Sequence, residues 1–187
     1  PIARGTAVAL VPIVGMLLIK ESVSSIALIG VVVVFFGIFT LGNVTNMKSI
    51  NISDLFISLI TGITVTLYTI VDKYAVSLIN PIFVFSISSF LGGFLSIAFI
   101  DKRINHFYLI AKNNLRIIFT VSLFSAVAYT LVLFAYKYSD VSLVTPLREV
   151  QTAIAAIIGI ILLKEGIKLY KVIGVSLIVI GAVLITY

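Results

Sequence analysis

The chain has 187 residues, 61% of them hydrophobic and 11% charged, with a mean hydropathy of +1.27. A soluble domain of this length needs far more charge to wet its surface, so soluble readings are excluded. There is no cysteine, which removes disulfides, thiolate zinc sites and thiol catalysis; the net charge of +6 sits in short connections between apolar runs, a pattern for lipid headgroups rather than nucleic acid.

The apolar runs can cross a bilayer core of about 30 Å, which takes roughly 20 helical residues. Open strands cannot exist in lipid. The expected fold class is therefore all-α, a polytopic membrane helix bundle of about seven transmembrane helices. The chain opens on Pro1, without an initiator Met or a signal-peptide pattern, and reads as a piece of a longer protein. The first span, 3–19, ends at Lys20-Glu21-Ser22, where Glu21 is placed to cap the helix that follows. The second, 23–42, carries Gly30 and Gly37 on one side, suited to close helix contact. On the third, 54–72, Ser58, Thr61, Thr64, Tyr68 and Asp72 share one face at about 100° per residue. Asp72-Lys73 is expected to close that helix as an interfacial pair. The fourth, 79–100, carries the small-residue row Ser88, Gly92 and Ser96, expected to be a packing surface.

The connection from Asp101 to Arg116 sets Ile104, Phe107, Tyr108, Ala111 and Leu115 against Lys102, Arg103, His106, Lys112 and Arg116. That spacing predicts a short helix in the headgroup region, with the single histidine interfacial. The fifth span, 114–136, has Ser122, Ser125, Tyr129 and Tyr136 on one face. The sixth, 141–163, has Thr145, Arg148, Glu149, Thr152, Ala156 and Gly159. The seventh, 167–187, follows Lys164-Glu165-Gly166.

One internal repeat stands out, at an offset of 144: Arg4/Arg148, Gly15/Gly159, Lys20/Lys164, Glu21/Glu165, Gly30/Gly174 and Gly37/Gly181. Apolar identities come cheaply in membrane helices; a charged pair and three glycines at one constant offset do not. The repeated unit is two helices joined by a Lys-Glu turn, and three further helices precede its second copy. A five-helix repeat follows, and an odd helix count inverts the second copy relative to the first.

Four segments carry a resemblance: Pro1-Ile-Ala-Arg-Gly-Thr6, Leu67-Tyr-Thr-Ile-Val-Asp-Lys73, Ala128-Tyr-Thr-Leu-Val-Leu-Phe-Ala135 and Val144-Thr-Pro-Leu-Arg-Glu149. With Lys-Glu followed nine residues later by Gly in both halves, the chain resembles the EamA family of the drug/metabolite transporter superfamily over essentially its whole length. The resemblance implies ten helices in an inverted five-plus-five repeat, no ATP site, and movement of small metabolites or drugs, commonly export. Residues 1–42 would then be the last two helices of the first repeat, and 54–187 the complete second repeat.

The expected function is a secondary transporter working by alternating access, with no cofactor, in a prokaryotic plasma membrane. A non-transporting membrane sensor or assembly subunit is the alternative. Arg148, Glu149, Thr145, Tyr68, Thr61, Tyr129, Ser125 and Arg4 are the candidate substrate-binding residues. Ionised groups inside a span cost a few kcal/mol and must face protein or water, and an Arg pair suits a carboxylate or phosphate. A hydroxyl on such a helix also commonly bonds its own backbone. Expected partners are membrane lipid and a small-molecule substrate, with a proton as the candidate coupling ion and a homodimer as the candidate assembly. The chain has no His-Glu-x-x-His, no Gly-x-Ser-x-Gly and no P-loop, so an enzyme is not expected. Basic residues favour the side holding Lys48, Lys102, Arg103, Lys112, Arg116, Lys164, Lys168 and Lys171, which the positive-inside rule makes cytoplasmic. The family pattern, with both termini cytoplasmic, implies the opposite.

Overall fold

The computed structural model describes residues 1–42, 51–98, 112–162 and 166–187. The expected interfacial helix and His106 lie outside the described residues, as do Lys164 and Glu165. The helices are α1 (Ile2–Val14), continued by a π-helical turn at Gly15–Ile19, α2 (Ser25–Leu41), α3 (Ile52–Leu78), α4 (Pro81–Ala98), α5 (Leu115–Tyr138), α6 (Val141–Leu147), α7 (Val150–Leu162) and α8 (Leu169–Thr186). No strand occurs among the described residues. Five stretches are long and apolar enough to cross a membrane: α1 with its π turn, α3, α5, α6 with α7, and α8. Ser25–Leu41 and Pro81–Ser96 are shorter apolar helices. Large apolar side chains such as Phe36 and Phe124 lie more than half exposed, the outward face a protein presents to lipid rather than water.

The residues fall into two compact units, Pro1–Val71 with Ser139–Tyr187, and Asp72–Tyr138. The first unit is centred on α2 and α8, whose glycines let the two backbones touch. A Cβ built on Gly30 would lie 2.7 Å from the Gly181 carbonyl oxygen, and one on Gly37 3.1 Å from that of Gly174. The converse distances, from Gly181 to Gly30 and from Gly174 to Gly37, are also 2.7 and 3.1 Å. Under the 144-residue offset Gly30 corresponds to Gly174 and Gly37 to Gly181, so each glycine meets the counterpart of the other. That reciprocity is the signature of a local two-fold contact. The helices are antiparallel there, so the axis stands perpendicular to them. Ser25 and Leu169, which open α2 and α8, keep the same offset. Val8, Val34, Ile38, Ala153, Ile178 and Ile185 fill the core around this crossing.

Pro12 lies inside α1. Having no N–H, it leaves the Val8 carbonyl without its usual partner, and the helix widens a few residues later into the π turn. Lys20 ends that turn in the left-handed region, at φ 60°. α2 is capped by its own Ser24, whose Oγ accepts from the Ala27 N–H at 3.1 Å. Glu21 instead reaches the start of α6: its carboxylate accepts from the backbone N–H groups of Val141 at 2.9 Å and Ser142 at 3.0 Å, and from the Ser142 hydroxyl. The expected cap on the following helix is thus corrected. Asp140 at the N-cap of α6 makes no side-chain cap bond, and the carboxylate from across the unit satisfies those donors in its place.

In the second unit, Asn80 caps α4 through its side-chain oxygen, 3.0 Å from the Ile82 nitrogen, and Pro81 opens the helix where its missing N–H costs nothing. α4 packs on α5. Two expectations change. Asp72-Lys73 lies within α3, which runs on to Leu78, rather than at its end. The row Ser88, Gly92, Ser96 is exposed, and a Cβ on Gly92 or Gly93 meets nothing within 4 Å among the described residues.

Candidate functional site

The sixth span is not one helix. It breaks at Arg148-Glu149, between α6 and α7. Pro146 removes a backbone donor just before the break. The ladder then tightens to three-residue steps: Glu149 N to Pro146 O at 3.0 Å, Gln151 N to Arg148 O at 3.2 Å and Thr152 N to Glu149 O at 2.8 Å. The whole span is 22 residues, or about 33 Å, and Arg148 lies roughly 10 Å in from Val141. A helix interrupted at membrane depth is tolerated where its freed backbone meets protein or lines a cavity.

A cavity of about 370 Å³ lies beside the break, within the first unit. It is lined by Arg4, Ala7 and Val8 of α1, Thr61, Tyr68 and Thr69 of α3, Thr145 of α6, Arg148 and Glu149 at the break, and Gln151 of α7. The volume is in the range of small-molecule sites, about 300–1,000 Å³. Arg4 Nη1 donates to Thr152 Oγ1 at 2.6 Å, and Thr152 Oγ1 donates to Glu149 Oε2 at 2.8 Å. Arg4 Nη1 is itself 3.6 Å from that carboxylate oxygen, with side-chain exposures of 56% for Arg4 and 10% for Glu149. The buried carboxylate is thus held by one hydroxyl donor and one neighbouring guanidinium, as a buried charge requires.

Six of the eight residues singled out in the sequence line this cavity: Arg4, Thr61, Tyr68, Thr145, Arg148 and Glu149. Arg4 and Arg148, partners under the repeat, face the same space. Thr61 donates to the Ile57 carbonyl at 2.8 Å, so its hydroxyl proton serves its own helix. Tyr129 and Ser125 belong to the second unit. There Tyr129 donates its hydroxyl to the buried Asp72, with its ring 6.2 Å from that of Phe85, while Lys73 Nζ donates to the Tyr136 carbonyl at 2.8 Å. Ser125 is exposed. Thr69 and Gln151 were missed. Gln151 sits one helical step from Arg148 and was findable on the stripe; Thr69 lies beside Tyr68 on α3, off the drawn polar face, and only packing reveals it.

Apolar helices with a lipid-type exterior, one of them interrupted at Arg148-Glu149 beside a solute-sized cavity, define a multi-pass membrane protein. The model of the EamA-like transporter family matches residues 52–187. The chain belongs to that family, and so to the membrane transporters of the drug/metabolite transporter superfamily. No curated protein and no solved structure matches this chain.

Proposed function

We propose that the protein is a secondary transporter that moves a small metabolite or drug-like solute by alternating access, in the direction of export, across a prokaryotic plasma membrane. The observation that supports this most is the cavity beside the break in the sixth span, with the charged and hydroxyl side chains that line it, because discontinuous helices with such groups at membrane depth are how carriers replace the hydration of a solute. Arg148, Glu149, Thr145, Tyr68, Thr61 and Arg4 bind the substrate in this reading, with Tyr129 and Ser125 as candidates on the second unit. Asp72, buried and bonded to Tyr129, is the candidate carrier of a coupling proton. Function runs on two inverted five-helix repeats, of which 54–187 is the second. The test is transport by the full-length protein in proteoliposomes against amino acids, nucleobases and cationic drugs. Saturable movement of one solute class, lost in Arg148→Ala at unchanged expression and melting temperature, is expected. Full transport by that variant sinks the assignment of the site.

A further inference from the structure

α6 is seven residues long, and its two ends are held by unlike means. Its inner end is the break at Arg148-Glu149, where Pro146 has removed a backbone donor and the ladder steps by three residues. Its outer end has no side-chain cap from Asp140. Glu21 supplies the acceptor there, taking the N–H groups of Val141 and Ser142 and the Ser142 hydroxyl. The fit is close. A Cβ on Gly15 would lie 2.5 Å from Ser142 Oγ and 2.7 Å from Glu21 Oε2, so the hydroxyl and the carboxylate meet in space that glycine leaves open.

The cavity beside the break differs on its two sides. Toward Glu21, one turn beyond the lining residues Val8 and Thr145, Val11, Pro12, Val141 and Ser142 are all fully buried and form a packed layer. Toward Pro1, the cavity is bordered by Arg4, whose side chain is 56% exposed. Arg4 also lines a second cavity of about 480 Å³, together with Pro1, Gly42, Thr152 and Lys171. The way to the break therefore lies at the Pro1 end, and the Val141 end is closed.

We propose that Glu21 is the latch of a gate. It pins the outer end of α6 to the turn after α1 while the cavity opens toward Pro1, and its release lets α6 pivot at the break and open the Val141 end. This rests on the transporter reading and names the device that switches access. Two features suit a latch rather than a permanent joint. α6 is a short body with a hinge at the break, so it can swing without bending a continuous helix. Its pin is one half-buried carboxylate at the end of a span, where water replaces the lost hydrogen bonds at small net cost. The α1 side also carries irregular backbone, since the π turn and Lys20 at φ 60° lead directly into Glu21.

The test reads the cavity from both faces of the membrane and needs no identified solute. It uses oriented vesicles of the full-length protein, provided its other residues also lack cysteine, and a charged methanethiosulfonate reagent added to either face of Tyr68→Cys. Ser22→Cys and Lys168→Cys, at exposed positions, mark the Val141 and Pro1 faces. With Glu21 present, the cysteine at 68 should react from the Pro1 face. Adding Glu21→Ala should speed its reaction from the Val141 face about tenfold, the worth of roughly one charge-assisted hydrogen bond. Glu21→Gln, which keeps one acceptor oxygen, should do so by less. A carboxylate that only holds the fold together would lower the melting temperature and leave the reactive face unchanged. The reverse experiment locks the latch. Glu21→Cys with Ser142→Cys, bridged by a short bifunctional methanethiosulfonate, should stop movement of whichever amino acid, nucleobase or cationic drug the protein carries, and a reducing agent should restore it. If Glu21→Ala does not fold, Glu21→Gln and the bridged pair decide. An unchanged reaction from the Val141 face in the Glu21 variants, or undiminished transport by the bridged pair, overturns the latch and leaves the transporter reading standing. A cysteine at 68 that is inert from both faces in every variant, with no solute of the panel carried, overturns both.

Discussion

Two roles are open to Glu21 by its position in the sequence, and the structure assigns it the less local one. It follows a lysine at a tight turn, the place of a cap for the next helix, yet Ser24 caps that helix and the carboxylate serves α6 instead. Glu21→Ala leaves the Val141 and Ser142 N–H groups without their acceptor, and thermal unfolding in detergent should show a loss of about 2 kcal/mol. Ser142→Ala keeps both backbone bonds and should cost about 1 kcal/mol or less. Equal losses would mean that the hydroxyl, not the cap, carries the contact. Next to it, Lys20 holds φ 60°, a region that disfavours a Cβ by roughly 1–2 kcal/mol. Lys20→Gly should therefore unfold at the same or a slightly higher temperature, despite glycine's flexibility elsewhere. At this scale the sequence exposed which residues are polar inside a span, hence Arg4, Arg148, Glu149 and Tyr68. It did not expose partners 120 or more residues away, as in Glu21 with Ser142, since no local pattern encodes them.

At the scale of elements, apolar run length and turn residues placed the described spans to within a few residues, because the bilayer fixes how long a helix must be; the exception is α3, which runs past its expected end at Asp72 to Leu78. The break at Arg148-Glu149 was missed for a plain reason: the polar stretch from Arg148 to Thr152 is flanked on both sides by apolar residues, so the run still reads as one span, and a proline inside a helix such as Pro146 marks a kink as readily as an end. Pro146→Ala restores a backbone donor to α6, so it should leave the melting temperature unchanged or higher while lowering transport. Wild-type transport by this variant would detach the break from function. The glycines divide similarly. Gly30 and Gly181 face backbone, and Gly30→Ala or Gly181→Ala should each cost about 1–3 kcal/mol by overpacking. Because they share one contact, the double variant should cost less than the sum. Gly92 meets open space, so Gly92→Ala should be neutral or stabilising by up to about 1 kcal/mol through helix propensity. One sequence signal, small residues at helical spacing, thus marks a crossing in α2 and α8 and no described contact in α4; the repeat offset, not the spacing, told them apart.

For the molecule as a whole, the proposed function depends on a contrast between an apolar exterior and a cavity of the first unit that carries charged and hydroxyl groups. The chain contains no cysteine, so single cysteines report that contrast directly. Phe36 and Phe124 are more than half exposed on helices apolar enough for lipid, where an impermeant thiol reagent has no water through which to arrive. Tyr68 and Arg148 line the chamber with Thr145 and Glu149, and the proposed solute path requires that chamber to be hydrated. In proteoliposomes of the full-length protein, provided its other residues also lack cysteine, Phe36→Cys and Phe124→Cys should stay unlabelled. Tyr68→Cys and Arg148→Cys should react from one face of the membrane, and a transported solute should slow them severalfold. Tyr129→Cys asks the same of the second unit, where the tyrosine hydroxyl bonds Asp72; labelling there would show a water-accessible surface on α5. If the cysteines at 68 and 148 are inert from both faces while Arg148→Ala transports normally, the chamber is a dry packing gap. The solute path would then have to run along surfaces outside the first unit's cavity.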